Sequence, residues 1–149
     1  MRRIIPGLLA LVWAAAAWAG SSNLQFGPPQ QWVKPTLLPA TGAATQAAVK
    51  ILLLDYQVEL TPQTIRYYFE SATHIQTPEG LTAAGNIAIV WDPDTDVVTV
   101  HKVHILRGDK LIDVLGAGQT FTIARRETNL DYETLDDALT AILQPEVVE

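Results

Sequence analysis

Val49-Lys50-Ile51-Leu52-Leu53-Leu54-Asp55-Tyr56-Gln57-Val58-Glu59-Leu60, then Thr61-Pro62-Gln63, then Thr64 to Gln76, is the stretch whose pattern decides the fold. Leu52, Leu54, Tyr56, Val58 and Leu60 fall on one parity, and Asp55, Gln57 and Glu59 on the other. Successive side chains of a strand point to opposite faces, so alternation over this length predicts a half-buried strand with its apolar parity inward. Beyond the Pro-containing turn, Ile65, Tyr67, Phe69, Thr73 and Ile75 alternate with Arg66, Glu70, His74 and Gln76. The two segments are expected to be neighbours in one antiparallel sheet.

The same pattern continues through Ile87 to Trp91, Val97 to Leu106, Leu111 to Leu115 and Thr120 to Ala124. The separators are Pro78-Glu79-Gly80, Asp92-Pro93-Asp94, Gly108-Asp109 and Gly116-Ala117-Gly118, all rich in turn formers. Short strands at intervals of about 8 to 12 residues predict an antiparallel β-sandwich. After Arg126 the pattern divides: Leu130, Leu135 and Leu139 suit a helical stripe, whereas Leu139, Ala141 and Leu143 suit a strand. No internal repeat is visible.

Upstream, residues 20–48 are rich in Gly, Pro, Ser, Thr, Gln and Ala and lack sustained periodicity, which predicts an extended arm before a domain spanning 49–149. Trp32, Val33, Leu37 and Leu38 are apolar islands in that arm, expected to dock on the domain; the other reading is a short linear motif for a partner. Residues 1–19 begin with Arg2-Arg3, continue in an apolar run from Ile4 and end in Ala17-Trp18-Ala19. That is the pattern of a secretory signal peptide, with cleavage expected after Ala19. The run is shorter than the roughly 20 residues that span a bilayer, and Pro6-Gly7 interrupts it, which argues against a retained anchor. The paired arginines lack the rest of a twin-arginine signal.

Removing nineteen residues from 149 leaves 130, enough for one domain with a core of its own. The chain has no cysteine, which excludes a lipid-modified N-terminal cysteine, disulfides and a thiol nucleophile. Loss of Arg2 and Arg3 moves the net charge from −6 to −8, and such an acidic surface disfavours nucleic acid and anionic lipid.

Asp92-Pro93 closing one strand, then Val98-Thr99-Val100-His101-Lys102-Val103-His104-Ile105-Leu106-Arg107-Gly108-Asp109-Lys110-Leu111-Ile112-Asp113 as two strands about a Gly-Asp turn, form the most distinctive run. Arg125, Arg126, Glu127, Asn129 and Leu130 follow it, and then Leu139 to Glu146. This order resembles the bacterial domain of unknown function that precedes a transglutaminase-like domain in larger exported proteins, over about Ala47 to Glu146. The resemblance implies a β-sandwich with no established activity, and favours a strand over Leu139 to Leu143. Such proteins continue into further strands and a Cys-His-Asp domain, whereas this sequence reaches Glu149 without a cysteine. The resemblance therefore implies either a short standalone relative or the leading piece of an interrupted frame, in which missing strands would leave a sheet edge open.

Several constellations invite a chemical reading. His101 and His104 are three apart, which on a continuous strand sends them to opposite faces and disfavours a shared metal; nothing in the sequence brings His74 to them. Arg107-Gly108-Asp109 spells an adhesion tripeptide but is expected to be a hairpin turn needing positive φ. Asp92, Asp94 and Asp96 begin like a calcium loop, yet lack the glycine at its sixth position and carry Val103 where its last ligand belongs, so an acidic β-turn is expected. Asp131, Glu133, Asp136 and Asp137 beside Arg125-Arg126 predict a solvated charge network; paired carboxylates of a glycoside hydrolase are the sharper alternative. No nucleophile elbow, phosphate loop or dinucleotide fingerprint is present.

The sequence thus predicts a non-enzymatic periplasmic or secreted binding domain, with a protein or glycan partner in the cell envelope and no membrane anchor after signal cleavage. It assigns no catalytic, cofactor-binding or metal-binding residue and expects no cofactor. An accessory part of a larger transglutaminase-like protein is the alternative, and a carboxylate hydrolase a third.

Overall fold

The computed structural model describes residues 20–43, 45–125 and 137–145. The expected signal peptide, 1–19, lies outside them, as do Arg126 to Asp136 and 146–149. Strands dominate: β1 (Gln25–Phe26), β2 (Val49–Leu60), β3 (Ile65–Ile75), β4 (Ile87–Trp91), β5 (Thr99–Val100), β6 (His104–Arg107), β7 (Lys110–Asp113), β8 (Thr122–Arg125) and β9 (Leu139–Leu143), with one helix, α1 (Pro78–Ala84). The described chain is mainly β, and all but one of its strand pairings are antiparallel.

β2 and β3 form a long antiparallel ribbon, with Leu60 paired to Ile65, Tyr56 to Phe69 and Val49 to Ile75. Thr61 closes its turn twice, its amide donating to the Thr64 carbonyl at 2.9 Å and its hydroxyl accepting from the Thr64 amide at 2.9 Å. β9 is the centre of a three-stranded antiparallel sheet between β4 and β8. A strand therefore forms over Leu139 to Leu143, where the periodicity alone divided. β6 and β7 make a hairpin whose two-residue loop is Gly108-Asp109. Gly108 has φ +56°, as a glycine-first hairpin turn demands.

The core gathers Val100, Val103, Val114 and Leu143, packed by Leu24, Ile87, Ile89, Ile105, Leu115 and Phe121. It sits between the three-stranded sheet and the β6–β7 hairpin, tied by the Val114 amide to the Val103 carbonyl at 2.9 Å. Residues 20–27 lie along 94–101: β1 pairs in parallel with β5, and the amides of Ser21 and Gln25 donate to the carbonyls of Asp96 and Val98 at 2.9 Å. Trp91, only 3% exposed, donates its indole N–H to the Ser21 carbonyl at 2.8 Å.

Four expectations are corrected. Pro78-Glu79-Gly80 does not simply separate strands but opens α1, because Thr77 caps the helix, accepting from the Gly80 amide at 3.1 Å, and a proline in the first turn needs no amide partner. The strand expected from Val97 to Leu106 breaks at 101–103 into β5 and β6. The strands expected over Leu111 to Leu115 and Thr120 to Ala124 run instead over Lys110–Asp113 and Thr122–Arg125. The largest correction concerns the ribbon, whose apolar parity faces outward.

Candidate functional site

The ribbon presents two unlike faces. A register shift between Ile51 and Leu53 takes Leu52 out of the alternation, so that beyond it Leu54, Tyr56, Val58 and Leu60 share a face with Ser71, Phe69, Tyr67 and Ile65. Leu53, Asp55, Gln57 and Glu59 share the other with Ala72, Glu70, Tyr68 and Arg66.

The polar face is the covered one. Residues 30–36 of the arm lie over it, where the Lys34 amide donates to the Gln57 side-chain oxygen at 2.9 Å and the Gln57 amide group donates back to the Lys34 carbonyl at 2.7 Å. The Thr36 hydroxyl donates to Asp55 at 2.8 Å. From the other side comes the segment between β5 and β6: Lys102 forms an ion pair with Glu70, and His101 stacks on Tyr68 at a centroid distance of 5.8 Å. His101 is itself fixed by a hydrogen bond between its Nδ1 and the Gly27 carbonyl at 2.8 Å.

Tyr68 is buried and donates its phenol to Glu70 at 2.8 Å. Burial, then the bond and charge of Glu70, then the charge of Asp55, push the phenol up to about 12. Burial alone would raise the Glu70 carboxyl, but the hydrogen bonds from Lys102 and Tyr68 and the charge of Lys102 outweigh it and hold the group below the usual carboxylate range. The three groups complete one another, which holds the 101–103 segment against the ribbon. Shallow depressions flank Lys102, one of about 250 Å³ between the arm, Tyr68 and Glu70, the other of about 350 Å³ bordered by Phe26, His101, His104 and Asp113.

The opposite face is apolar and uncovered. Ile51, Leu54, Tyr56, Val58, Leu60, Ile65, Tyr67 and Phe69 are each between 46% and 74% exposed. Its remaining positions, Ser71 and Thr73, are uncharged, so the whole face carries no ionisable acid or base except the phenols of Tyr56 and Tyr67, which stack at 5.9 Å. At about 150–250 Å² for a large side chain, eight of them roughly three-fifths exposed present on the order of 1,000 Å² of surface. The largest apolar patch of an ordinary monomer is about 300–600 Å².

The other sequence-derived candidates lie apart from this ribbon surface or are consumed locally. His101 and His104 do not sit on opposite faces of one strand, because the break at 101–103 lets both border the same depression. His74, paired with Lys50 on the ribbon, keeps a buried Nδ1 without a hydrogen-bond partner. Among the described residues no group of three or more metal-binding side chains occurs. In the Asp92–Asp96 loop, Asp92 accepts from the Asp94 amide at 2.9 Å and Asp96 from the Asp92 amide at 3.2 Å, which makes it a self-bonded acidic turn. Asp137 pairs with Arg125 at the surface, while Asp131, Glu133 and Asp136 lie outside the described residues. Trp32 and Val33 are half-buried, but Leu37 and Leu38 are exposed.

Tyr68, Glu70 and Lys102 went unmarked in the sequence. Tyr68 and Glu70 share a strand parity, a signal that could have paired them, but nothing local announces Lys102 some thirty residues on. No helix among the described residues is long and apolar enough to cross a membrane.

A family model described as "Domain of Unknown Function with solved-structure structure (DUF3857)" matches residues 61–149, more than half of the chain. The match opens at the ribbon turn, so that β3 lies inside it and β2 outside. No curated protein matches the chain, and no solved structure does.

Proposed function

The chain belongs to the DUF3857 family, a domain of unknown function, and from that premise we propose that it is a non-enzymatic binding domain of the bacterial cell envelope. The observation that carries this reading is the uncovered apolar face of the β2–β3 ribbon. A patch of that size on a strand pair is costly in water and marks a surface built to be covered. The charge-free composition suits a protein surface, and the flanking depressions leave room for a glycan as a secondary ligand. Export rests on the basic, apolar and small-residue segments of 1–19, with cleavage after Ala19 and a periplasmic or secreted destination. In this reading the strands belong to a β-sandwich whose second layer over the ribbon comes from the bound partner.

The test is capture from an envelope extract by the wild-type chain and by a variant in which Tyr56, Tyr67 and Phe69 are changed to Thr. A partner retained by the first and not by the second supports the reading; equal retention overturns it, as does retention by neither from a chain that is also monomeric. N-terminal sequencing of the exported protein should begin at Gly20, and a start at Met1 would remove the export step.

The same face favours a second reading, in which the chain serves as an accessory to a transglutaminase-like protein that supplies the covering layer. Co-purification with a Cys-His-Asp protein encoded beside it, dependent on Phe69, would favour this form.

A further inference from the structure

We propose that the apolar ribbon face is covered by a second copy of this chain, two β2–β3 ribbons stacking face to face about a two-fold axis. This rests on the reading of the face as a binding surface and names its occupant. Three features of the face point to self-association.

The first is area. On the order of 1,000 Å² per copy reaches what a standard stable interface needs, about 800 Å² from each partner. The second is charge. The chain carries −6 overall, yet Asp55, Glu59, Arg66 and Glu70 all lie on the opposite side of the ribbon, so stacking desolvates no ion. The acidic chain repels its copy only at long range, where salt screens.

The third is shape. Along the ribbon the residue pairs run from bulky Leu60 and Ile65 at the turn, through Tyr56 and Phe69 at the middle, to Leu54 and Ser71 and then Ile51 and Thr73. A two-fold axis through the Tyr56–Phe69 pair lays Ile65 and Tyr67 of one copy over the small Thr73 and Ser71 of the other, with Leu60 and Val58 over Ile51 and Leu54. An isologous contact requires this self-complementarity, which β3 supplies as large opposite small on either side of an aromatic centre. The product is a two-layer β structure with sheets about 10 Å apart.

The experiment uses the full chain, with whatever N-terminus the producing cell leaves, and measures mass by sedimentation equilibrium across concentration. A discrete dimer is expected, with Phe69→Glu weakening it roughly a hundredfold or more, because each copy then brings an acid to the axis. Phe69→Thr, a strand-compatible change, serves as the milder variant should the acid disturb folding, and thermal melts monitor both. Because the chain has no cysteine, Tyr56→Cys should be joined into a covalent dimer by a bis-maleimide linker that reaches across sheets about 10 Å apart, while Leu37→Cys, exposed but off the face, should not.

A monomer at all concentrations overturns the proposal, as do dimers indifferent to Phe69 or equal cross-linking from both cysteines. If the chain is monomeric but still captures an envelope protein through this face, the binding-domain reading stands and the second copy alone is rejected. If it does neither, both fall.

Discussion

Tyr68 and Glu70 answer to pH in opposite directions. The Tyr68 phenol is raised to about 12, so the fold prefers its protonated form; the stability this contributes is complete below pH 10 and is lost as pH rises through about 12. Tyr68→Phe should remove a step near pH 12, where alkaline unfolding is expected, from a phenolate absorbance titration. Glu70 is lowered, so its contribution is present above the ordinary carboxylate value and disappears as pH falls through its folded value. Glu70→Gln should therefore lower the melting temperature at neutral pH and flatten its decline in acid. A wild-type acid limb retained in that variant would mean that other carboxylates govern it. Alternation in the sequence places these two residues on one side of β3. Their meeting with Lys102 and His101 depends on a segment far along the chain, which no local pattern describes.

Among the elements, α1 and the β6–β7 hairpin make sharp demands on glycine. Gly108 occupies φ +56°, which an L side chain rarely adopts, so Gly108→Ala should destabilise the chain by about 1 kcal/mol in denaturant unfolding. Gly80 lies where a Cβ would fall on the Ala48 carbonyl, a backbone group unable to give way as a side chain could. Gly80→Ala should cost more, roughly 1–3 kcal/mol, and loosen α1 from the start of β2. Equal effects at the two sites would argue against that close packing. The Gly-Asp turn is legible because two apolar strands flank it at hairpin distance. The helix is not, because Thr77-Pro78 is at once a turn signal and a helix start, and seven residues are too few for a helical period to emerge. The break at 101–103 leaves only a small trace, the adjacent polar pair His101-Lys102 that moves the apolar parity from Val98 and Val100 to Val103 and Ile105, and nothing local says that the backbone turns there to bring Lys102 onto Glu70.

For the molecule as a whole, the covering of the ribbon's polar face by the arm is the decisive arrangement. Gln57→Ala removes both of its hydrogen bonds to the backbone of Lys34, so amide exchange at Lys34 should quicken while the amides of β9 stay protected. Uniform acceleration across the chain would mean instead that the arm is part of the cooperative core. Local backbone geometry makes alternation legible, so the sequence by itself determined that β2 and β3 exist, where they turn, and that Tyr56, Val58 and Leu60 share a side. It also determined the acidic balance and the absence of thiol chemistry, which are sums over residues. Only the tertiary structure decided which side of the ribbon faces the protein. That choice depends on what lies against each face, and here the arm and Lys102 satisfy the polar side through hydrogen bonds and charge that a polar face needs when covered. The apolar side is left to water, at a cost that only another apolar surface can relieve.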